Sequence, residues 1–100
     1  MTEKDIRDIT HRDLLDVEPE ERAQFVERYL VRTIASLSQG PASEADAAMR
    51  LSDLGFDSLQ VVELKFALDQ LLGQELDVGI MIANPTVREL AEQGLQACGL

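Results

Sequence analysis

Apolar residues recur at helical intervals along much of the chain. Val26, Leu30, Ile34 and Leu37 are spaced four, four and three residues apart, so they share one stripe and predict a long helix over Pro19 to Leu37. Phe25 and Tyr29 flank the stripe and are expected to pack. Pro19 suits the first helical position, Glu20 and Glu21 favour the positive end, and Gly40-Pro41 closes the segment. Arg22, Arg28 and Arg32 with Glu21 and Glu27 read as a solvated face, where ion pairs contribute little.

A second helix is predicted from Leu59 to Leu72, with Gly73 as its stop. It carries two apolar stripes. Val61, Leu64, Leu68 and Leu72 fall on one; Leu59, Val62 and Phe66 fall roughly opposite, with Glu63, Lys65, Asp69 and Gln70 in the gaps. The first stripe suits a core. The second either packs under a neighbouring loop or helix, since small domains use wide apolar faces, or stays exposed as a patch rimmed by acids.

Shorter pieces make up the rest. Ser38 to Met49 is a long connection rich in Ser, Ala and Gly, and Met49, Leu51 and Leu54 anchor its far end. Leu76, Val78, Ile80, Met81 and Ile82 have a strand-like pattern, but a strand without a partner leaves its backbone unpaired. An extended stretch with one helical turn over Ile80 to Ala83 is expected instead, ended by Asn84-Pro85. Thr86 and Glu89 form a capping box that opens a last helix to Ala97, with Val87, Leu90, Ala91 and Leu95 on its apolar side. Gly94 weakens this helix by about 1 kcal/mol relative to alanine, so its end is expected to fray.

At the start of the chain, Thr10 and Asp13 form another capping box, with Ile9 and Leu14 in the staple positions. They predict a short helix over residues 11–16 that buries Leu14 and Leu15. Residues 1–18 read as a linker-like extension or as a terminus packed on the bundle, 19–97 as the domain, and 98–100 as a tail. The expected fold is all-α: a small four-helix bundle of three longer helices and a short third one. It has a long first loop and an additional short N-terminal helix.

Composition narrows the function. The hundred residues suit one domain, and 45% apolar content with few aromatics suits a core of Leu, Ile, Val and Ala. The formal charge of −10 repels nucleic-acid phosphates and anionic lipid headgroups, so the expected partners carry basic surfaces. The bias is uneven: Met1 to Pro41 holds nine acids and six bases, Ala42 to Leu100 ten acids and three. A single cysteine, Cys98, excludes an internal disulfide, no apolar run has the length of a membrane span, and the first residues do not resemble a secretory signal. A cytoplasmic setting is expected.

Candidate chemistry centres on Leu54-Gly55-Phe56-Asp57-Ser58-Leu59. Gly55 permits a tight turn, Asp57 is a helix N-cap with Gln60 completing its box, and Ser58 falls in the first helical turn, at the positive end. Taken alone, such a serine is a second capping group or a solvated first-turn residue. A hydrolytic triad would require the only histidine, His11, to reach Ser58, and nothing in the sequence provides an oxyanion hole. No Cys/His cluster, calcium loop or glycine-rich phosphate motif is present. Neither catalytic residues nor a metal site are expected.

The run Leu54 to Leu59, followed by Val62-Glu63-Leu64, resembles the attachment motif of acyl carrier proteins, most closely the carrier domains of polyketide synthases. The likeness continues through Leu76, Asn84-Pro85-Thr86 and Leu90-Ala91-Glu92. It implies that Ser58 accepts a 4'-phosphopantetheine arm from coenzyme A through a phosphopantetheinyl transferase. The arm's thiol would carry acyl or polyketide intermediates as thioesters to ketosynthase, acyltransferase and other synthase domains, the carrier itself being non-catalytic and monomeric as an isolated domain. In this resemblance Asp57 lies where the transferase approaches, and Gly55 gives close access to backbone. Leu59, Val62 and Phe66 offer apolar contact, with Glu63 and Asp69 meeting basic partner residues. Phe56-Asp57 before the serine resembles the polyketide or fatty-acid branch more than the peptidyl one. The alternatives are a fatty-acid or peptidyl carrier, or an unmodified acidic helical module that binds a partner through Leu59, Val62 and Phe66.

Overall fold

Three of the five helices among the described residues begin at a residue whose side chain accepts from a backbone amide three positions on. The computed structural model describes residues 8–37 and 47–100. Thr10 caps α1 (His11–Leu15), Asp57 caps α3 (Ser58–Leu72) and Thr86 caps α5 (Val87–Ala97), and each cap's own amide donates in return to the side chain of Asp13, Gln60 or Glu89. These boxes satisfy amides that a helix start leaves without partners. Between them, a 3-10 turn at Pro19–Glu21 runs on into α2 (Arg22–Leu37), a second 3-10 turn spans Leu51–Leu54, and α4 (Gly79–Ile82) is one turn long. Most of the connection from Ser38 to Met49, including Ser43, lies outside the described residues.

The core forms where the stripes meet. Val26, Leu30 and Ile34 of α2 are fully buried with Leu64 and Leu68 of α3 and Val87, Leu90 and Ala91 of α5. Leu37, at the end of the α2 stripe, is only half-buried. Tyr29 is also buried and donates through its hydroxyl to the Ala67 carbonyl at 3.4 Å; burial pushes its phenol pKa up, against a smaller lowering from Thr33. Among the described residues there is no strand beyond an isolated bridge between Arg50 and Thr86. The segment after Gly73 takes the extended path and single turn expected of it.

The N-terminal residues 9–17 pack on the bundle. Leu14 is fully buried, whereas Leu15, expected inside, is 45% exposed. Leu15 lies about 100° round the helix from Leu14, and α1 meets the bundle on the Leu14 side only. The Nδ1 of His11 lies 2.9 Å from the Leu71 carbonyl near the end of α3. A carbonyl only accepts, so Nδ1 carries the proton. Arg22, expected on a solvated face, instead gathers carbonyls: its guanidinium donates to Val17 at 3.1 Å, Leu15 at 3.2 Å and Leu100 at 3.5 Å.

Both long C-terminal helices end in the same closure. Gly73 has φ 72°, its amide donates to Gln70 and that of Gln74 to Asp69. Gly99 has φ 71°, its amide donates to Gln96 and that of Leu100 to Leu95. This paired Schellman pattern requires a left-handed residue, which glycine adopts without a Cβ penalty. The chain beyond α5 is therefore hydrogen-bonded through Leu100, and the helix continues past Gly94 to Ala97. Gly94 is buried against α3, and a Cβ there would lie 3.0 Å from Leu72 Cδ1.

Candidate functional site

The loop that leads into α3 is fastened at both ends. Upstream, Leu51 and Leu54 are buried, the Leu51 amide donates to Pro85, and the Ser52 amide donates to Asn84 Oδ1 at 2.9 Å. Downstream, Gln60 Nε2 donates to the Leu37 carbonyl at 3.0 Å while its Oε1 accepts from the Asp57 amide, which ties the start of α3 to the end of α2. Gly55 turns the chain between these anchors with φ 70°, and nothing lies within 4 Å of where its Cβ would be. The turn requires glycine for conformation, not for want of space.

Ser58 is the first residue of α3 and is exposed. Among the described residues its hydroxyl has no hydrogen-bond partner. Asp57 Oδ1 accepts from the Gln60 amide at 2.8 Å, leaving the Ser58 and Leu59 amides unpaired within the helix. An exposed hydroxyl beside unpaired amides at the positive end of a helix suits a phosphate ester, because both dipole and amides favour an anion there.

The second stripe of α3 is open. Leu59 is 65%, Val62 61% and Phe66 64% exposed, and Glu63 beside them is exposed as well. With Ser58 these residues fall within a single sector of the helix. Asp69 is different. Its carboxylate turns inward, accepting from Lys65 Nζ at 2.7 Å and from the Leu76 amide at 3.0 Å. With about one-seventh of its side chain exposed (14%), it organises the segment after α3. Two further apolar side chains stand out in solvent, Val78 at 56% and Ile82 at 77%. The sequence signal for them is that a one-turn helix with five apolar neighbours cannot bury them all.

The other reactive groups lie elsewhere. His11 is held at Leu71, about 20 Å along the α3 axis from Ser58, so no Ser-His pair forms. Cys98 is half-buried, and its thiol pKa is pushed up by burial and further by the Asp69 carboxylate. Among the described residues no group of three metal-ligating side chains occurs, and no helix is long and apolar enough to cross a membrane.

Comparison with known proteins finds relatives in sequence. The family model described as "Phosphopantetheine attachment site" matches residues 28–93. The chain is 33% identical over 81 residues to 6-methylsalicylic acid synthase of Aspergillus terreus (strain NIH 2624 / FGSC A1156), covering 81% of this chain and 4% of that protein. It is 37% identical over 75 residues to the pikromycin polyketide synthase component PikAII of Streptomyces venezuelae, covering 73% of this chain and 2% of that one. The chain thus spans a small fraction of the length of these relatives. No solved structure matches it significantly.

Proposed function

Because this chain belongs to the phosphopantetheine attachment-site family, carriers that tether acyl intermediates on a covalent 4'-phosphopantetheine arm, we propose that Ser58 Oγ is the atom that bears the arm. The observation that carries this reading is the exposed, unpartnered hydroxyl at the first position of α3. The arm supplies a terminal thiol that holds acyl groups as thioesters. The chain's own residues do the rest. Asp57 and Gln60 fix the helix start, so that Ser58 projects from one place. The Ser58 and Leu59 amides, unpaired within the helix, would favour the negative charge of a phosphodiester on Ser58. Gly55 turns the loop without placing a side chain in the approach.

Similarity to a polyketide synthase component, with the Val61-Val62-Glu63-Leu64-Lys65 continuation, supports a carrier that serves a polyketide-type assembly line. A phosphopantetheinyl transferase would load it, and ketosynthase and acyltransferase domains would then visit it. Their contacts would be brief, which fits a small apolar stripe of Leu59, Val62 and Phe66 beside Glu63 better than a large greasy surface. Tethering raises the local concentration of substrate at each visiting active site. Ser58 is modified and performs no chemistry of its own.

The test is intact mass after incubation of the apo chain with coenzyme A and a phosphopantetheinyl transferase. One covalent addition is expected on the wild type and none on Ser58→Ala. A wild type left unmodified by a transferase that loads a control carrier would favour an unmodified interaction module instead.

A further inference from the structure

Ser52 lies six positions before Ser58, at the point where the loop into α3 is fastened to a distant part of the chain. Asn84 holds it there by two bonds, its Oδ1 accepting from the Ser52 amide at 2.9 Å and its Nδ2 donating to Ser52 Oγ at 3.0 Å. The Asn84 carbonyl also accepts from Arg50 Nη1 at 3.1 Å, and the neighbouring Pro85 carbonyl accepts from the Leu51 amide. Three consecutive residues of the loop are thus secured by two residues that follow α4. Among the described residues Asn84 is the one non-glycine with positive φ, at 55°.

A left-handed residue closing a short helix has an ordinary explanation: asparagine tolerates that conformation, and glycine tolerates it better. Glycine, however, has no side-chain carboxamide to hold Ser52. Between Ser52 and Ser58 only Leu54 is buried, while Asp53, Gly55 and Asp57 are exposed, so little else holds this short stretch in place. Freedom at Ser52 would therefore be expressed in the loop that presents Ser58. We propose that Asn84 and Ser52 are positioning residues for the modification of Ser58, their paired side chains holding the loop in the one arrangement the transferase accepts. This rests on the reading of Ser58 as the attachment site.

The experiment uses the full apo chain as varied substrate of a phosphopantetheinyl transferase with saturating coenzyme A, comparing wild type, Asn84→Gly, Asn84→Asp and Ser52→Ala. Asn84→Gly keeps the backbone conformation and removes the clamp. Its KM for the chain is expected to rise about tenfold with kcat unchanged, because apparent affinity scales with the fraction of chains in the competent arrangement. The Ser52 amide should lose hydrogen-exchange protection. Asn84→Asp retains an acceptor for that amide and is expected to recover most of the affinity.

A lower melting temperature with wild-type KM, measured where the variant is fully folded, would overturn the proposal and leave Ser58 as the attachment site. So would equal losses in Asn84→Gly and Asn84→Asp. A wild type that takes up no arm would remove the Ser58 reading itself. Should Asn84→Gly fail to fold, Ser52→Ala removes one of the two bonds at an exposed position, and an unchanged KM there overturns the proposal equally.

Discussion

The imidazole of His11 stands where a side chain on residue 73 would have to go: a Cβ built on Gly73 would meet three of its ring atoms at 2.9 Å. Residue 73 also has φ 72°, so alanine there meets two separate penalties. Gly55 supplies the control, since its φ is 70° and nothing lies within 4 Å of its Cβ position. Gly55→Ala is expected to lose about 1 kcal/mol for the left-handed backbone alone. Gly73→Ala should lose about 1–2 kcal/mol more, as the ring is displaced from Leu71. Urea denaturation measures both, and equal losses would show that the imidazole moves aside without cost.

The same contact makes α1 part of the folded unit. Leu14 is fully buried while Leu15 is 45% exposed. Leu14→Ala is expected to cost about 2–4 kcal/mol, and Leu15→Ala less than about 0.5 kcal/mol. Matching denaturation midpoints for the two variants would mean that residues 9–17 do not dock.

Local chemistry was legible in the sequence, and long-range pairing was not. Each capping box joins residues three apart, so Thr10 with Asp13, Asp57 with Gln60 and Thr86 with Glu89 could be read from spacing alone. The two stripes of α3 followed from its period, although burial had to decide whether the Leu59, Val62 and Phe66 stripe was covered or open. The exposure of Ser58 agrees with its place in the first turn. No periodicity announces that His11 reaches Leu71, that Arg22 reaches Leu100, or that Asn84 clasps Ser52. These pairs join residues 60, 78 and 32 positions apart, and their partners are mostly backbone groups, which every residue type shares. Asp69 misleads for a related reason: on a helical wheel it lies near Ser58, but the Leu76 amide draws it inward.

Gly94 reverses an expectation drawn from propensity. In an open helix, replacing glycine by alanine gains about 1 kcal/mol. Here the added carbon would sit 3.0 Å from Leu72 Cδ1 and 3.6 Å from Leu76 Cδ1, both in the core. Moving packed leucines costs at least as much as the helix gains. Gly94→Ala is expected to leave the melting temperature unchanged or lower it by a few degrees, and a clear increase would show that the contact between α3 and α5 is loose.

Phe66 tests the open stripe. At 64% exposure its substitution should leave the fold intact. Phe66→Glu is expected to leave helicity unchanged by circular dichroism. It should slow acyl delivery to a partner ketosynthase by about tenfold, the size of a moderate interface anchor. Unchanged transfer kinetics in the folded variant would remove Phe66 from the docking surface.

Acid should loosen the chain at α5 through Glu89. Its carboxyl sits below the usual glutamate range, first because the Thr86 amide and then its hydroxyl bond the charged form, with the Arg50 guanidinium 3.7 Å away adding to the shift. A depressed folded pKa means the unfolded chain binds the proton more readily. The contribution of Glu89 is therefore complete above the ordinary glutamate pKa of 4.5 and is lost as pH falls through the lower folded value. Glu89→Gln keeps an acceptor for the Thr86 amide but carries no charge. It is expected to melt below the wild type near neutral pH, and the gap between the two should close below about pH 4. A gap that stays constant across that range would mean that the Glu89 charge does not stabilise the start of α5.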